Sequence, residues 1–377
     1  MSRPRALVVS GIRVRHDAIS NIMCHQHRAL TAAGWEVELV AHHDDGSGDG
    51  VRARTVPNAW VLLRDPAYLA ADLVIFHFGI WYDLFNALTL PHPTGAVRVL
   101  HFHNVTPPEL LAGETRRNAE AGLIQLGLAS EVDVVWSDSP HNSEALVRFA
   151  EVDPASILTV PPALPDWGPP PPRPEATVGD PVRLVVVGRF AAAKGLDDLL
   201  DALAAAGPAL TDAVRVVLAG SPANSDADYL EALRGRVRDD GLVGTVEIVT
   251  DPTDAELLEL LCAADVFVSP SHHEGFCVPA AEALASGCRA VVTSAGALPD
   301  TVGDAAVVVA PRDPVALAAA LADEVDQVLR CRAGEPAALA AEAARSERAR
   351  RQVARFHPDA VAERVVAAAA EAIARRR

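Results

Sequence analysis

Residues 269–287 read Ser-Pro-Ser-His-His-Glu-Gly-Phe-Cys-Val-Pro-Ala-Ala-Glu-Ala-Leu-Ala-Ser-Gly. The apolar run Val266–Val268 stops just before this stretch, and Pro279 opens an Ala- and Leu-rich segment that ends at Gly287. Proline is favoured in the first turn of a helix and glycine just beyond its end. The pattern therefore predicts a strand, a loop and a helix that begins at Pro279.

The predicted loop suits an anionic ligand. A helix that begins at the carboxyl end of a strand points backbone N–H groups and the positive end of its dipole into the crevice where α/β sheets bind ligands. Glu274 in the loop and Glu282 in the first helical turn would repel a diphosphate unless they faced hydroxyl groups. A ligand with a diphosphate and sugar hydroxyls satisfies both requirements. The alternative is that Glu282 only complements the helix dipole and Glu274 is a solvated loop residue.

The segment Glu-Gly-Phe-Cys-Val-Pro-Ala-Ala-Glu-Ala, residues 274–283, resembles the donor-site signature of the retaining glycosyltransferases of family 4. The resemblance implies the GT-B fold, with two Rossmann-like domains facing across a cleft and a C-terminal helix that returns to the N-terminal domain. It also implies that Glu274 contacts the donor hexose and Glu282 the ribose. The helix start then lies against the donor diphosphate, at Gly275, Phe276, Cys277 and Val278.

Composition limits the classes of protein that need considering. The 377 residues suffice for two domains with separate cores, and half of the residues are hydrophobic. A formal net charge of −17 argues against nucleic acid as a partner. The five cysteines include no C-x-x-C pair, which favours a reducing compartment over a disulfide framework or a zinc site.

No apolar run is long enough to predict a transmembrane segment, and the amino terminus is too short for a signal peptide before the first strand. We therefore expect a cytoplasmic protein whose contact with a membrane, where it has one, is peripheral. The abundance of Ala and Arg is typical of a GC-rich genome and indicates a bacterial source.

Short β-branched runs alternate with longer Ala- and Leu-rich segments, a pattern that predicts parallel sheets covered by helices. A proline-rich stretch, residues 161–174, separates two such sets. We predict an acceptor-side Rossmann-like domain, a hinge, a donor-binding Rossmann-like domain and a terminal helix on the first domain, at residues 1–165, 166–181, 182–355 and 356–377. The predicted strands are 6–9, 37–40, 73–76, 97–100, 132–136, 157–160, 184–187, 214–218, 246–249, 266–268 and 290–292.

A second motif follows the strand 184–187, with Gly188 and Arg189 at its end and Lys194, the one lysine of the chain, at the start of the next helix. Arginine can bind phosphate oxygens in a fork and lysine can act as a point charge. The segment resembles the Gly-Arg-x(4)-Lys-Gly signature of family 4, in which both basic residues contact the donor diphosphate. The same resemblance places Thr250 beside the nucleobase. Solvated surface charges are the alternative for the two basic residues.

Two histidines, His101 and His103, precede Asn104 at the end of the strand 97–100. Two residues apart on an extended chain, they share a face. Such a pair can ligate a metal, but no carboxylate or cysteine lies at ligand spacing, so we predict no metal site. The His-Asn-Val-Thr-Pro-Pro string resembles the family 4 segment whose histidine contacts donor sugar and acceptor, a role that falls to His103. A histidine that merely caps the strand end is the alternative.

The first strand is expected to end at Ser10 and Gly11, followed by a polar loop to Asp17. Family 4 enzymes usually have a glycine-rich loop here, from which this chain departs. The structural alternatives for Gly11, Arg13 and Asp17 are a turn glycine, a surface charge and a helix N-cap. The acceptor-side candidates are Gly11, Arg13, Asp17, His101, Asn104 and Ser139.

Together the motifs predict a metal-independent, retaining transfer of a hexose or N-acetylhexosamine, without a cofactor. The donor is expected to be a UDP- or GDP-sugar, and the acceptor a sugar, a lipid-linked glycan or a small metabolite. The alternatives are a non-hydrolysing nucleotide-sugar epimerase and a catalytically silent sugar-nucleotide binding protein. An NAD-dependent oxidoreductase would need Gly-x-Gly-x-x-Gly after a first strand, and neither half supplies it. The catalytic candidates are His103, Arg189, Lys194 and Glu274.

Overall fold

The computed structural model of the protein describes residues 3–15, 17–47, 51–168, 170–222 and 226–376. The chain forms two compact units: unit 1 consists of Met1–Ala163 and Phe356–Arg377, and unit 2 of Leu164–Arg355. The described residues of the predicted hinge, 166–181, contain no helix or strand. Pro169 of that hinge, and Arg377 of the predicted terminal helix, lie outside the described residues.

Unit 1 is built on a sheet of seven parallel strands in the order β3-β2-β1-β4-β5-β6-β7. From β1 the chain adds β2 and then β3 on one side. It then adds β4, β5, β6 and β7 in turn on the other side of β1. Six of the strands were predicted, and β3 was missed because it has only two residues. The strands are β1 (Arg5–Arg13), β2 (Glu36–Asp44), β3 (Arg54–Thr55), β4 (Leu73–Phe78), β5 (Val97–Phe102), β6 (Val134–Ser137) and β7 (Ile157–Thr159).

Helices cover both faces of this sheet. Along β1, Leu7 and Val9 belong to one buried apolar cluster, and Ala6 and Val8 to another, as expected for a strand buried on both sides. The helices of the first part of the chain are α1 (Ala18–Ala32), α2 (Ala59–Leu62), α3 (Pro66–Ala70), α4 (Gly113–Gln125) and α5 (Pro140–Ala150). Short 3-10 helices lie at Asp83–Thr89, Pro108–Leu110, Leu126–Glu131 and Pro154–Ser156.

The predicted end of the first strand was wrong. β1 continues through Gly11 to Arg13, which pairs with Asp44 of β2. Gly11 lies against the ring of Tyr82, where a Cβ would be 2.0 Å from Cδ2, so the position needs a residue without a side chain. The strand runs on because its backbone stays paired with β2 and its side chains stay covered.

Unit 2 is built on six parallel strands in the order β10-β9-β8-β11-β12-β13. The direction in which strands are added reverses between β8 and β11, which are neighbours. In open α/β sheets the crevice at such a reversal, at the carboxyl ends of the strands, is the usual place for a ligand. The strands are β8 (Val182–Val187), β9 (Val214–Gly220), β10 (Val246–Thr250), β11 (Val266–Ser269), β12 (Arg289–Thr293) and β13 (Val307–Val309), of which β13 was not predicted.

The helices of unit 2 again lie on both faces, since Leu184 and Val186 of β8 belong to one buried cluster and Val185 to another. Two 3-10 helices, Ala192–Lys194 and Gly303–Ala305, add single turns. The α-helices are α6 (Leu196–Ala206), α7 (Pro208–Thr211), α8 (Ala227–Asp239), α9 (Asp254–Ala263), α10 (Val278–Ala285), α11 (Leu298–Val302), α12 (Pro314–Arg332) and α13 (Pro336–Ala354).

The terminal helix α14 (Pro358–Arg376) belongs to unit 1, as expected. It packs on α1 and β5 through a buried stripe that includes Val361, Val365 and Ala369. His25 of α1 hydrogen-bonds the carbonyl of Pro358 at 3.0 Å, which fixes the start of the helix. Over the described ranges, no helix has the length and apolar character that a membrane crossing would require.

Candidate functional site

Two loops meet at the strand-order reversal of unit 2. One follows β8 and the other follows β11, which pairs directly with β8. The amide of His272 donates to the carbonyl of Ala193 at 2.8 Å. Gly195 has a φ of +64°, and a Cβ there would be 2.0 Å from the carbonyl oxygen of Pro270. The close approach of the two backbones therefore depends on glycine at this position.

An ion pair joins these loops. Nζ of Lys194 lies 2.7 Å from Oε1 of Glu274, and Oγ of Ser271 donates to the same oxygen at 2.7 Å. Burial raises the pKa of Glu274, but the charge of Lys194 and the hydrogen bonds from Lys194 and Ser271 outweigh it, so the pKa is lowered overall. Glu274 is consequently a buried carboxylate at neutral pH.

The backbone around Glu274 is held by the segment that follows β12. The amide of Ala297 donates to the carbonyl of Glu274 at 2.9 Å. Gly296, with a φ of +59°, lies so close that a Cβ would be 2.1 Å from that carbonyl oxygen. The hydroxyl of buried Thr301 donates to the carbonyl of Phe276. These contacts set the direction in which the Glu274 side chain leaves the loop.

No side chain of the described residues caps the start of helix α10. Its N-cap, Cys277, has φ 71° and ψ 71°, a left-handed conformation that costs a non-glycine residue about 1–3 kcal/mol. Pro279 occupies the first turn. The start of α10 thus differs by one residue from the predicted start at Pro279. A helix start whose amides no side chain caps is a favourable place for a phosphate.

A pocket lies on the β8 side of this crevice. Its lining includes Gly188, Arg189, Lys194, Ser269 and Ser271. The amide of Gly188 continues the sheet by donating to the carbonyl of Ala219 at 3.0 Å. Arg189 is exposed, and its guanidinium forms no ion pair with any residue in the described part of the chain. The pocket therefore combines an exposed guanidinium, an ammonium and two hydroxyls.

Glu282 and Thr250 lie farther along the same edge. Glu282 was predicted in the first turn of its helix but lies in the second turn of α10, because the helix begins at Val278. It is buried, and this burial together with the negative charge of Asp254 raises its pKa to about 8. Its carboxyl is therefore protonated at neutral pH. Thr250 ends β10, two strands from β8, and is exposed. Thr253 then caps α9 through a capping box with Glu256.

Unit 1 contains a buried cluster of polar side chains at the carboxyl ends of β4, β5 and β6. We call it the histidine cluster; its members are Gln26, His77, His101, His103 and Asp138. Nδ1 of His77 lies 2.8 Å from Nε2 of His103, and Nδ1 of His103 lies 2.9 Å from the carboxylate of Asp138. The side chain of His103 is only 3% exposed.

Gln26 and the main chain complete the histidine cluster. Oε1 of Gln26 lies 3.0 Å from Nε2 of His77, and its Nε2 lies 2.9 Å from Nδ1 of His101. Nε2 of His101 lies 3.1 Å from the carbonyl oxygen of Val160 and 3.0 Å from Oδ1 of Asp138. The hydrogen bonds thus form a closed ring.

Burial strongly affects the charges within the histidine cluster. It lowers the pKa of His77 well below its usual value and, together with the nearby His103, lowers the pKa of His101. Burial raises the pKa of Asp138, but the charge of His103 and hydrogen bonds from both His101 and His103 bring it below the usual value. Asp138 is therefore ionised, and His77 and His101 are neutral.

The three rings approach closely enough to share a small ion, since one nitrogen from each of His77, His101 and His103 lies within 4.8 Å of the others. These rings are nevertheless already hydrogen-bonded to one another, to Gln26 and to Asp138. Within the described residues, every ring nitrogen of His77, His101 and His103 therefore already has a hydrogen-bond partner.

The remaining acceptor-side candidates make local contacts. Arg13 is buried 3.5 Å from Asp44, and Asp17 caps α1 by accepting from Ser20. A surface charge was the structural alternative for Arg13, and the structure instead buries it. Asn104, with a φ of 72°, donates to Asn142, and the Ser139 side chain caps α5 by accepting from the amide of Asn142.

Comparison with known proteins agrees with this architecture. Residues 181–327 match the family described as "Glycosyl transferases group 1". The D-inositol 3-phosphate glycosyltransferase of Geodermatophilus obscurus is 34% identical over 206 residues, 52% of this chain and 46% of the relative. The protein of the same name from Streptomyces avermitilis is 27% identical over 329 residues, 81% of this chain and 70% of the relative. The chain spans about half the length of the first three such relatives, at 46%, 53% and 45%.

Solved structures match over nearly the whole chain. Sucrose-phosphate synthase from Thermosynechococcus elongatus superposes with a TM-score of 0.73 at 21% identity, covering 99% of this chain and 100% of that one. HepE from Anabaena, solved with UDP-glucose, gives a TM-score of 0.72 at 15% identity and covers 97% and 99%. The chain has the GT-B fold. Its two Rossmann-like units and its terminal helix are those expected of a GT-B protein.

In this GT-B chain the donor-side candidates all lie in unit 2, and His103 and the acceptor-side candidates all lie in unit 1. Sequence reasoning missed the partners of both sets. His77 and Asp138 follow the predicted strands closely, and because parallel strands end at one edge of a sheet, their proximity to His103 could have been predicted. No pattern in the sequence indicated that Gln26, on α1, would contact the histidines. The same is true of the residues that support Glu274, namely Ser271, Gly296, Ala297 and Thr301.

Proposed function

We propose that this GT-B chain is a glycosyltransferase that moves a hexose or N-acetylhexosamine from a nucleoside-diphosphate sugar to an acceptor hydroxyl, with retention at the anomeric carbon. The family match to residues 181–327 and the names of the relatives support transfer of a sugar. One observation carries the donor assignment: the Lys194–Glu274 pair lies at the strand-order reversal, beside the start of α10. That crevice offers positive groups for a diphosphate and a carboxylate for hydroxyls.

In this proposal the diphosphate lies against Arg189, Lys194 and the start of α10, from Gly275 to Val278. The guanidinium can bind two phosphate oxygens and the ammonium one. The negative charge that develops on the leaving diphosphate is greatest when the sugar bond breaks, so positive groups fixed at that place lower the barrier. Gly188 lets the phosphate approach the backbone after β8. Thr250 borders the nucleobase.

The two glutamates bind hydroxyl groups. Glu274 is ionised, and its carboxylate can accept from the hydroxyls of the hexose. Its pairing with Lys194 means that one ammonium serves both the sugar site and the phosphate site. Glu282 binds the ribose, and the ribose hydroxyls stabilise its ionised form by donating to it. Donor binding is then coupled to the loss of a proton from Glu282.

Retention follows when the acceptor hydroxyl attacks on the face from which the diphosphate departs. The new C–O bond forms as the old one breaks, and the proton of the acceptor hydroxyl passes to the departing phosphate oxygen. Arg189 and Lys194 supply the positive charge, so the proposed reaction requires no metal ion, cofactor or protein nucleophile. By the family 4 resemblance of its segment, His103 is the unit 1 candidate for a place beside donor sugar and acceptor.

The donor is proposed to be a UDP-sugar in the first place and a GDP-sugar in the second, because the solved HepE structure contains UDP-glucose. The acceptor is proposed to be a sugar, a lipid-linked glycan or a small metabolite. The names of the relatives make D-inositol 3-phosphate the first small metabolite to try. Among the acceptor-side candidates, Asn104 and Ser139 lie beside the histidine cluster.

The test is a thermal-shift panel of UDP-glucose, GDP-mannose and ADP-glucose with EDTA or Mg²⁺ present. A donor at about 100 times its dissociation constant should stabilise the fold by about 2.7 kcal/mol. We expect one nucleotide class to raise Tm equally with EDTA and with Mg²⁺, and Lys194→Ala to lose the shift. Arg234→Ala is the matched control, because it removes an exposed cation of α8 that pairs with Glu231.

Product analysis then separates transfer from its alternatives. A donor that binds, is turned over with an acceptor and yields a product with the anomeric configuration of the donor supports the proposal. An isomerised nucleotide sugar without transfer would indicate an epimerase. Binding of a nucleotide sugar without turnover of any of the proposed acceptors would indicate a sugar-nucleotide binding protein. A shift with NAD(H), and none with any nucleotide sugar, would contradict the donor assignment altogether.

A further inference from the structure

The hydrogen bonds of the histidine cluster determine where its protons lie. The carbonyl oxygen of Val160 can only accept, so Nε2 of His101 carries a hydrogen. The carboxylate of Asp138 can also only accept, so Nδ1 of His103 carries a hydrogen. Both assignments follow from the chemistry of the acceptor and do not depend on how Gln26 is oriented.

Gln26 decides the remaining positions. With its Oε1 toward His77 and its amide nitrogen toward His101, His77 carries a hydrogen on Nε2 and the Nδ1 of His101 is bare. His101 is then neutral. A neutral His77 has a bare Nδ1, which must accept from Nε2 of His103. His103 therefore donates from both ring nitrogens and is an imidazolium.

The opposite orientation of Gln26 does not remove the extra proton. The amide nitrogen would then donate to His77, and Nδ1 of His101 would donate to Oε1 of Gln26. His101 would carry hydrogens on both nitrogens and become the cation, while His103 would be neutral. Every hydrogen-bonded arrangement with an ionised Asp138 thus contains one imidazolium.

We infer that the histidine cluster is a buried binding site for one proton, held on His103, and that Asp138, His77 and Gln26 are positioning residues that keep His103 cationic. The titratable groups that face His103 within the described residues are His77 on β4, His101 on β5 and Asp138 after β6; α1 contributes the neutral Gln26. A buried cation is stable only with a counter-charge and satisfied hydrogen bonds, and Asp138 and His77 provide both.

The charge distribution in the cluster agrees with this assignment. Burial lowers the pKa of both His77 and His101, whereas Asp138 has a pKa below its usual value because its two histidine neighbours outweigh its burial. None of the ring nitrogens or carboxylate oxygens of the cluster is among the buried polar atoms that lack a partner in the described chain. With one extra proton, every hydrogen bond of the histidine cluster can form. Without that proton, one hydrogen bond of the ring would be lost.

One consequence rests on the proposed function. Both N–H groups of His103 are occupied within unit 1, so this residue does not offer a ring nitrogen to the donor sugar or to the leaving phosphate. Its positive charge is balanced by the carboxylate of Asp138, which lies 2.9 Å away, so the pair carries no net charge.

The test is a long-range 1H–15N correlation spectrum of the full chain labelled with 15N-histidine, recorded at pH 7.0 in the absence of ligand. Signals are assigned by their loss in His77→Gln, His101→Gln and His103→Gln. We expect His103 to show two protonated nitrogens, and His77 and His101 one each, on Nε2. Asp138→Asn should remove the extra proton, and Gln26→Glu should add a second imidazolium at His101. Asp133→Asn is the control, because it removes an exposed unit 1 carboxylate that accepts from the amide of Arg98.

Three results would overturn the inference. The first is a wild-type spectrum in which all three rings are neutral, which would put the proton on Asp138. The second is an unchanged His103 signal in a folded Asp138→Asn variant. The third is one equivalent of bound metal by elemental analysis, with metal-shifted ring nitrogens. If Asp138→Asn does not fold, the wild-type and Gln26→Glu spectra still show whether His103 carries the extra proton. None of these measurements depends on turnover, so a failure of the proposed glycosyl transfer would not change their results.

Discussion

Nζ of Lys194 lies 2.7 Å from Oε1 of Glu274, although 80 positions separate the two residues in sequence. The pair joins the loop after β8 to the loop after β11 at the point where the strand order of unit 2 reverses. Because a diphosphate bound as proposed would compete with Glu274 for the ammonium, we expect the pair to couple the stability of the fold to donor affinity.

Removing the ammonium should destabilise the protein. Lys194→Met leaves Glu274 buried without its cation, and we expect the free energy of unfolding to fall by about 1–3 kcal/mol in urea denaturation at pH 7. In a double-mutant cycle with Glu274→Gln the two substitutions should couple by about 0.5–3 kcal/mol.

The pH dependence of that effect has a definite sign. The pKa of Glu274 is lowered in the folded state, so its contribution is fully present above its ordinary value of 4.5 and is lost as the pH falls through the folded value. The difference between wild type and Lys194→Met should therefore shrink in acid. Equal differences at pH 3 and pH 7, or a coupling energy of zero, would show that the two side chains do not interact.

Glu282 should make the protein less stable as the pH rises. Its pKa is about 8 in the folded state against an ordinary value of 4.5, so the folded chain binds a proton that the unfolded chain has lost between these values. We expect the free energy of unfolding contributed by this group to fall by up to about 1.4 kcal/mol per pH unit in that range. Glu282→Gln should flatten the profile. Asp254→Asn should reduce the slope, because it removes the second cause of the raised pKa.

Donor affinity should improve with pH if the ribose hydroxyls bind ionised Glu282. With a pKa of about 8 in the empty site, the dissociation constant for UDP-glucose should fall about tenfold between pH 7 and pH 9. Titration calorimetry in two buffers of different ionisation enthalpy should detect the released proton. Glu282→Gln should bind independently of pH over this range; a tenfold change retained in that variant would assign the effect to another group.

Gly296 should tolerate no side chain. A Cβ at this position would lie 2.1 Å from the carbonyl oxygen of Glu274, and the φ of +59° is itself unfavourable for alanine. We expect Gly296→Ala to destabilise the fold by more than about 1 kcal/mol and to weaken donor binding, because the loop that carries Glu274 must shift. Gly235→Ala is the matched control. Gly235 lies on α8 with open space around it, and alanine there should stabilise the helix by about 0.5–1 kcal/mol. Equal stability of the two variants would contradict the steric argument.

Much of the fold could be predicted from the sequence. Alternation of β-branched runs with Ala- and Leu-rich segments predicted two parallel sheets, and the structure has them. Strands β3 and β13 were not predicted because they have only two and three residues. The prediction that the first strand ends at Gly11 was wrong, since Gly11 looks like a turn residue until the ring of Tyr82 is placed beside it. The donor-side roles of Arg189, Lys194, Glu274 and Glu282 remain predictions.

What the sequence by itself determined is local: which segments are strands and helices, that a glycine loop follows β8, and that α10 begins just after Glu274. These follow from short-range patterns of side chains and from the conformations that proline and glycine allow. Only the tertiary structure decided the state of each charge. It paired Lys194 with Glu274, raised the pKa of Glu282, buried Arg13, and brought Gln26, His77 and Asp138 around His103. Charge states depend on burial and on partners distant in sequence, and those exist only once the parallel strands have brought their carboxyl ends together.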